Sequence, residues 1–512
     1  MSDTNDTIDS TKPAETDSID LTRRSFLRSS AVTGAGVYLA STRSVKAQEP
    51  SDLLRVALIG CGAQGQALLN ASMAVAKEAG IRFVACCDIW DYHRKTVAGR
   101  LTKDPTYVEN GWKVNAYERI EEMLEKEGDN IDVCLIATPD FMHAPHTIMC
   151  LEAGKQVYCE KMMSNTIEAA KSMVLAQRRT GNLLQIGHQR RSNPRYLTLR
   201  NQIIHGNQML GRVTHANAQW NRAISKPLGW GRKYEMDPAK LKEFGYNSMQ
   251  EFRNWRWFKA YGGGPMSDLG AHQIDLFAWM FDALPKAVVA SGGRDYYDEF
   301  EHYDNAMMVY EFDSDAGARF GGDNMGIRTS RASYQVLTTT GSQSFYEKFM
   351  GVNGSVAMSE LPEPNAAYRE AHAQPWDPYA SAGLIKRAAG SVDVKNKFWE
   401  QPRPWPKPPG DTLWLANGRW VPQTSSDGPT AIVDVRATAS LDEWELATTL
   451  NKPAHAPHLE NFFYVSKHSR NQADLNCPVS EAYKTCVMVL RVNEAIAQGK
   501  RIEFAPSDFV VA

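Results

Sequence analysis

The stretch "VALIGCGAQG", residues 56–65, decides how the rest of the chain is read. A short apolar run enters Gly60-Cys61-Gly62-Ala63-Gln64-Gly65 directly, which marks a buried strand ending in a turn. The G-x-G-x-x-G spacing gives each glycine a task. Gly60 permits the tight turn, Gly62 lets backbone approach a pyrophosphate, and Gly65 lets the next helix pack closely on the strand. Free N–H groups at the helix start, around Ala63 and Gln64, then favour a negative group. The next apolar run, "IRFVACCD" (81–88), ends in Asp88, 23 residues after Gly65. A carboxylate there accepts both ribose hydroxyls of NAD and repels a 2′-phosphate, so NAD is expected and NADP disfavoured. Arg94 and Lys95 stand close by, so NADP is not excluded.

The alternation continues through "IDVCLIATPD" (131–140), a helical "HAPHTIMCLEAGK" (143–155), "QVYCEK" (156–161), a helix over 166–180, and "LLQIG" (183–187). Repeated β–α units build a doubly wound, mostly parallel sheet with ligands at the carboxyl ends of its strands. Thr138, Pro139, Glu160 and Lys161 fall at that edge, facing the nicotinamide end of a dinucleotide, and His143 is expected among the cofactor-binding residues. After Arg190 the pattern changes to alternating strands: "RVTHANAQW", "KAVVASGG", "NAMMVYEF", "GARFGGDN" and "VLTTTG". These predict an α+β domain with a large, mostly antiparallel open sheet.

Between these strands lies "GGGPMSDLGAHQIDLFAWMF" (262–281). Asp268 and His272, spaced i, i+4, share one helical face. Oxidising a secondary alcohol requires a hydride acceptor and a group that takes the hydroxyl proton. Histidine suits the second task because its charge changes near neutral pH. Asp268 would orient the alcohol or tune the imidazole, and Lys161 would stabilise developing alkoxide character.

Together, "VALIGCGAQG", "ATPDFMHAPHTIMCLEAGKQVYCEK" and "GGGPMSDLGAHQIDLFAWM" resemble the Gfo/Idh/MocA oxidoreductases, the family of glucose–fructose oxidoreductase and inositol dehydrogenase. The resemblance covers 54–326 and returns weakly over 458–504. It implies a Rossmann domain, a C-terminal α/β domain whose open sheet often mediates oligomerisation, and Lys161, Asp268 and His272 as the catalytic set. Two features depart from it. Glu160-Lys161-Met162 stands where the family usually reads Glu-Lys-Pro, so Met162 must adopt a cis bond or take another path. A long stretch over 358–457, broken by "EQPRPWPKPPGD", reads as an insertion over the second domain or at a subunit contact. Its Trp399, Trp405, Trp414 and Trp420 are core or interface residues in that reading. The domains are then 1–47 (signal and disordered N-terminus), 48–189 (NAD-binding) and 190–512 (substrate binding and oligomerisation, ending in a helical segment over 458–512).

A pyranose-like substrate fits the aromatic run Trp220, Trp230, Trp255, Trp257 and Tyr261, whose faces can stack on a sugar ring. Arg190, Arg191 and Tyr196 follow the last strand of the first domain and are expected to reach the cleft. The eight cysteines show no CxxC pair and no metal-like spacing, so buried thiols are expected and no metal site.

The 512-residue chain carries 43% hydrophobic and 23% charged residues and a net charge of −2, which points to no nucleic-acid partner. Nothing beyond the N-terminus is apolar for long enough to anchor in a bilayer. Thr22-Arg23-Arg24-Ser25-Phe26-Leu27-Arg28, a short apolar run and Val45-x-Ala47 resemble a twin-arginine export signal, read by the export machinery and cleaved near Gln48. A periplasmic location follows. No soluble NAD pool is expected there, so a tightly bound, prosthetic NAD must return to its starting redox state within each cycle. Ping-pong oxidoreduction between two sugars does this. So does redox-neutral glycoside cleavage by hydrolysis or elimination through a transient ketone. An exported sugar-binding protein that has lost turnover is the non-enzymatic alternative.

Overall fold

The computed structural model describes residues 53–315, 327–370, 372–389, 413–416, 419–422 and 441–512. The twin-arginine segment, Trp399, Trp405 and "GARFGGDN" lie outside these residues. The first layer is a six-stranded parallel sheet in the order β3-β2-β1-β4-β5-β6. Its strands are β1 (Leu54–Ile59), β2 (Ile81–Cys87), β3 (Asn115–Tyr117), β4 (Val133–Ile136), β5 (Gln156–Cys159) and β6 (Leu184–Ile186). The long crossover helices are α1 (Ala63–Ala79), α2 (Asp91–Thr102), α3 (Asp140–Glu152) and α4 (Ile167–Thr180). Strand order reverses at β1, so a crevice opens beyond the carboxyl ends of β1 and β4.

Two glycines make the turn at that crevice possible. Gly60 has φ +88°, and a Cβ there would stand 2.6 Å from the Ala137 backbone at the end of β4. A Cβ on Gly65 would stand 1.9 Å from the Gly60 carbonyl oxygen. Any larger residue at either position pushes α1 off the sheet.

The second layer is a ten-stranded sheet. It comprises β7 (Val213–Asn221), β8 (Pro285–Gly293), β9 (Asn305–Asp315), β10 (Ile327–Leu337), β11 (Phe345–Gly351), β12 (Gly354–Met358), β13 (Asn365–Arg369), β14 (Ile385–Arg387), β17 (Asp442–Leu446) and β18 (Ile502–Glu503). The order is β14-β17-β13-β12-β11-β7-β10-β9-β8-β18, and β7–β10 is its parallel pair. A separate two-stranded ribbon pairs β15 (Leu413–Ala416) with β16 (Arg419–Pro422). Thus β13, β14 and β17, from within 358–457, lengthen the main sheet instead of only lying over it. The alternation in β9 is clear: Ala306, Met308, Tyr310 and Phe312 are buried, while Met307 and Val309 are exposed. The buried face meets α5 (Ala271–Phe281) and α7 (Val479–Gln498). The run "VLTTTG" is strand only at Val336 and Leu337. Its strand begins at Ile327, because Ser330, Ala332, Tyr334 and Val336 form the buried face.

Helix α6 (Ala456–Lys467), read from sequence as part of the second domain, packs on the first. Its Leu459, Phe462 and Phe463 join Leu68, Leu69 and Val75 of α1 in one core. His458 fixes the approach, with Nδ1 2.6 Å from Ser192 Oγ and Nε2 2.9 Å from the Ile186 carbonyl oxygen.

The link after β6 corrects three expectations. Arg190, Arg191 and Tyr196 do not reach the cleft; each is at most 5% exposed and bound to a buried carboxylate. Arg191 donates from Nε and Nη2 to Asp275, both at 2.8 Å, and Thr485 Oγ1 adds a third bond at 2.7 Å. Arg190 and Tyr196 both donate to Glu347 on β11. A charge taken out of water needs such a partner, so burial consumed these side chains. Burial alone would raise Asp275, but Arg191 foremost holds it down to about 2. Replacing Asp275 by Asn keeps the shape and leaves Arg191 buried without its counter-charge. Urea unfolding should then show a loss of about 3–5 kcal/mol. A loss below about 1 kcal/mol would mean that the pair does not fix this junction.

Candidate active site

The crevice widens into a cavity of about 970 Å³, near the top of the range for small-molecule sites and large enough for more than one small metabolite. At one end lie Gly60, Gly62, Ala63 and Gln64; Gly65 packs beneath them and is not part of the wall. Asp88 faces the same space. Its Oδ2 accepts from Cys61 N–H at 2.7 Å and its Oδ1 from Trp90 N–H at 2.7 Å, which ties the glycine turn to the end of β2. Arg94 is turned to other tasks. It pairs with Asp91 at 2.8 Å and Glu118 at 3.2 Å, and donates to the Asp88 carbonyl oxygen at 3.1 Å. The residues therefore fit a dinucleotide: a glycine cradle at a helix start for the diphosphate, and a carboxylate for a ribose diol.

Thr138, Pro139, His143, Glu160 and Lys161 line the middle of the cavity. The Lys161–Met162 peptide is cis, which answers the question raised by the missing proline. His143 Nδ1 lies 2.5 Å from the Met162 carbonyl oxygen, so the helix α3 histidine holds this loop. Burial lowers the His143 pKa, and an N–H on Nδ1 then makes the bond. Lys161 Nζ crosses to the second domain and donates to the Asp268 carbonyl oxygen at 2.5 Å. Burial pushes the Lys161 ammonium below its usual range, while Asp268, Glu160 and Asp140 oppose that shift.

Asp268 stands on a widened turn, Met266–Gly270, that runs into α5. The turn departs from the Gly262–Pro265 segment, where Gly264 has φ +72°. Its carboxylate faces two guanidinium groups, Arg256 Nε at 2.9 Å and Arg222 Nη1 at 3.3 Å. Burial would raise it, but Arg256, Lys161 and Arg222 hold it well below the usual carboxylate range. His272, one turn on, lies against Trp220 with ring centroids 5.5 Å apart. Its Nδ1 is buried and has no hydrogen-bond partner among the described residues. Burial first, then Lys161, Arg190, His188 and His455, push His272 well below 6.5. The ring is therefore a neutral base at physiological pH, beside an ammonium that can donate.

Trp255 and Trp257 line the cavity with Trp220, and Arg256 lies 4.3 Å over the Trp255 ring. Tyr261 does not line it. Its ring packs among Phe141 and Tyr246, and its hydroxyl donates to Glu251 at 2.5 Å. Trp230 belongs to the same small core. Several lining residues were not singled out from sequence: Asp140, Gln189, Arg222, Arg256, Glu360 and His455. Asp140 had a signal, since it follows Thr138-Pro139 and opens α3. Burial pushes its carboxyl up to about 6, although Lys161 and a bond from Gly263 N–H at 3.2 Å favour the charge. Glu360, after β12, accepts from Gln189 Nε2 at 3.2 Å. Glu360 and His455 reach the cavity only through the fold. All eight cysteines are buried free thiols. Among the described residues no His/Cys/Asp/Glu cluster is arranged to hold a metal ion, and no helix is long and apolar enough to cross a membrane.

Known proteins share both halves. The oxidoreductase family model with an NAD-binding Rossmann fold matches residues 54–188, and the GFO/IDH/MocA C-terminal domain model matches residues 201–344. Scyllo-inositol 2-dehydrogenase (NAD(+)) of Bacillus subtilis is 23% identical over 330 residues, 63% of this chain and 79% of that enzyme. D-glucoside 3-dehydrogenase of Escherichia coli is 29% identical over 232 residues, 45% of this chain and 55% of that enzyme. The crystal structure of aldose-aldose oxidoreductase from Caulobacter crescentus, complexed with glycerol, aligns with a TM-score of 0.57 at 16% identity. It covers 88% of this chain and all of that one. With both halves matched in order and a dinucleotide-shaped crevice between β1 and β4, the chain belongs to the Gfo/Idh/MocA family of NAD(P)-dependent oxidoreductases.

Proposed function

We propose that this chain is an NAD-dependent oxidoreductase acting on a secondary hydroxyl of a sugar, polyol or glycoside. One observation carries the reading: Lys161 from the first domain and Asp268 and His272 from the second line the same cavity as the Gly60 turn and Asp88. The names of the two dehydrogenase relatives, which specify an inositol and a glucoside, support the substrate class. NAD is favoured over NADP because Asp88 faces the cavity while Arg94 is already engaged by Asp91 and Glu118.

When bound, NAD supplies the hydride acceptor through its nicotinamide ring. His272 takes the hydroxyl proton as the carbon gives up hydride, and returns it when a ketone is reduced. Lys161 donates to the same oxygen and stabilises its alkoxide character. Asp268 positions Lys161 through its backbone carbonyl and holds Arg222 and Arg256 through its carboxylate. Those guanidinium groups, with the faces of Trp255 and Trp257, are suited to a ring that carries several hydroxyls.

The test is a panel of sugars, polyols and glycosides, read for both ketone formation and bond cleavage. His272→Asn should lower kcat about 10²–10⁴-fold while NAD still binds. A folded variant that keeps full turnover overturns the assignment, and a parent that binds sugars without turning any over favours the binding-protein alternative. Because burial lowers the His272 pKa, the required neutral base persists on acidification. The acid limb of kcat/KM should therefore fall below pH 6.5, and a limb centred at or above that value contradicts the assignment.

The twin arginines support a further layer: export to the periplasm with NAD held as a prosthetic group, and a cycle closed by ping-pong or redox-neutral chemistry. Cell fractionation followed by purification without added cofactor checks both parts. The expected product is a periplasmic chain starting near Gln48 that contains nicotinamide. A cytoplasmic location contradicts export, and an empty protein with weak, reversible NAD binding contradicts the prosthetic group.

Self-association through the second sheet is proposed from Val289, Met307 and Val309, which form an exposed apolar patch on the outer face of β8 and β9. Light scattering should show an oligomer that Met307→Glu dissociates. A monomeric parent contradicts this.

A further inference from the structure

His455 immediately precedes α6, beyond both family-matched halves of the chain, and it lines the dinucleotide cavity. Its Nε2 lies 3.0 Å from the side-chain amide nitrogen of Gln64, a residue inside the glycine turn. The two are separated by 391 positions in sequence. This meeting is built into the fold, because Leu459, Phe462 and Phe463 bury α6 against α1, the helix that carries Gln64. His458 shows the contrast on the same helix. Both of its ring nitrogens are engaged by Ser192 and the Ile186 carbonyl, so it serves packing. His455 instead presents an imidazole to the cavity wall, where one nitrogen meets the turn that cradles phosphate.

His455 meets the turn at Gln64, on the helix start suited to the diphosphate, whereas Asp88 is tied to Cys61 and Trp90 at the end of β2. On the NAD reading, Asp88 takes the adenosine ribose.

We infer that His455 is a dinucleotide-binding residue supplied by the C-terminal segment, and that its contact with Gln64 closes the glycine turn over the cofactor beyond its adenosine end. This rests on the NAD reading above. Its consequence is slow release: the dinucleotide lies between a turn at one end of the described chain and a helix start near the other. Dissociation then requires the Gln64–His455 contact to open.

The experiment uses the full chain stripped of bound nucleotide, with NAD⁺ and AMP as probes. His455→Ala should raise the NAD⁺ dissociation rate about tenfold, equivalent to about 1.4 kcal/mol. AMP, which spans the adenosine end alone, should bind within about twofold of the parent, and the unfolding midpoint of the nucleotide-free protein should not move. NAD⁺ affinity and release unchanged in the variant overturn the inference. Equal weakening of AMP and NAD⁺ also overturns it, because that marks general damage to the fold. If His455→Ala does not fold, His455→Leu removes the polar contact at comparable size and is read by the same criteria. A parent that binds no NAD(P) overturns this inference together with the functional reading. A parent that binds NAD⁺ while His455→Ala behaves identically removes the inference alone.

Discussion

The buried ion pairs after β6 are the constraint on which the site depends. Arg191 to Asp275 and Arg190 to Glu347 lie side by side on the link that leaves the parallel sheet. Asp275 is on α5, the helix that carries His272, so the Arg191 pair sets where that imidazole stands relative to β5 and Lys161. Breaking one partner would leave a charge in a medium that solvates it poorly, so the link resists sliding. Arg190 also acts at a distance, because it helps keep His272 neutral. A structural clamp and an electrostatic setting thus arise from one dipeptide.

The titratable groups of the cavity are pushed apart by a shared cause. Burial lowers Lys161 and His272 and raises Asp140, whereas paired guanidinium groups bring Asp268 down despite burial. The result is one firmly ionised carboxylate, one readily neutralised carboxyl, a neutral imidazole and an ammonium, all facing a single space. An alcohol oxidation needs a base that is not already protonated and a cation near the developing alkoxide. In the proposed mechanism Asp268 serves both needs indirectly. Its carbonyl accepts from Lys161, and its carboxylate pairs with Arg222 and Arg256.

Legibility in the sequence followed the range of the interaction. Gly60, Gly65 and Asp88 were readable because the turn, the helix start and the end of β2 lie within one β–α–β unit. The place of Lys161, Asp268 and His272 on the cavity wall was readable because each sits in a local motif at a strand end or helix start. Arg190, Arg191 and Tyr196 were misread, since no local pattern distinguishes an arginine facing a cleft from one whose carboxylate lies 84 or 157 residues away. Tyr261 was misread for the related reason that aromatics near a site fill cores as readily as they face ligands. Glu360 and His455 left no local mark. Their place is set by how β12 leaves the second sheet and by how the apolar face of α6 finds α1.

That last packing bears on chemistry. A parallel sheet alone offers a dinucleotide a shelf: the turn holds the phosphates from one side and solvent reaches them from the other. Adding α6 supplies an apolar anchor in Phe462 and Phe463 and a polar tip in His455 at the same shelf. The hydrophobic burial of the helix and the polar contact at its start are coupled through one rigid element, so stabilising the fold also keeps the cavity walled. An enzyme drawing on a soluble cofactor pool gains little from such a wall, because exchange belongs to its cycle. An enzyme that must reuse one cofactor molecule gains directly, since each release interrupts turnover. On the proposed reading, the placement of α6 over α1 is the feature of this fold that would connect its packing to a redox-closed cycle.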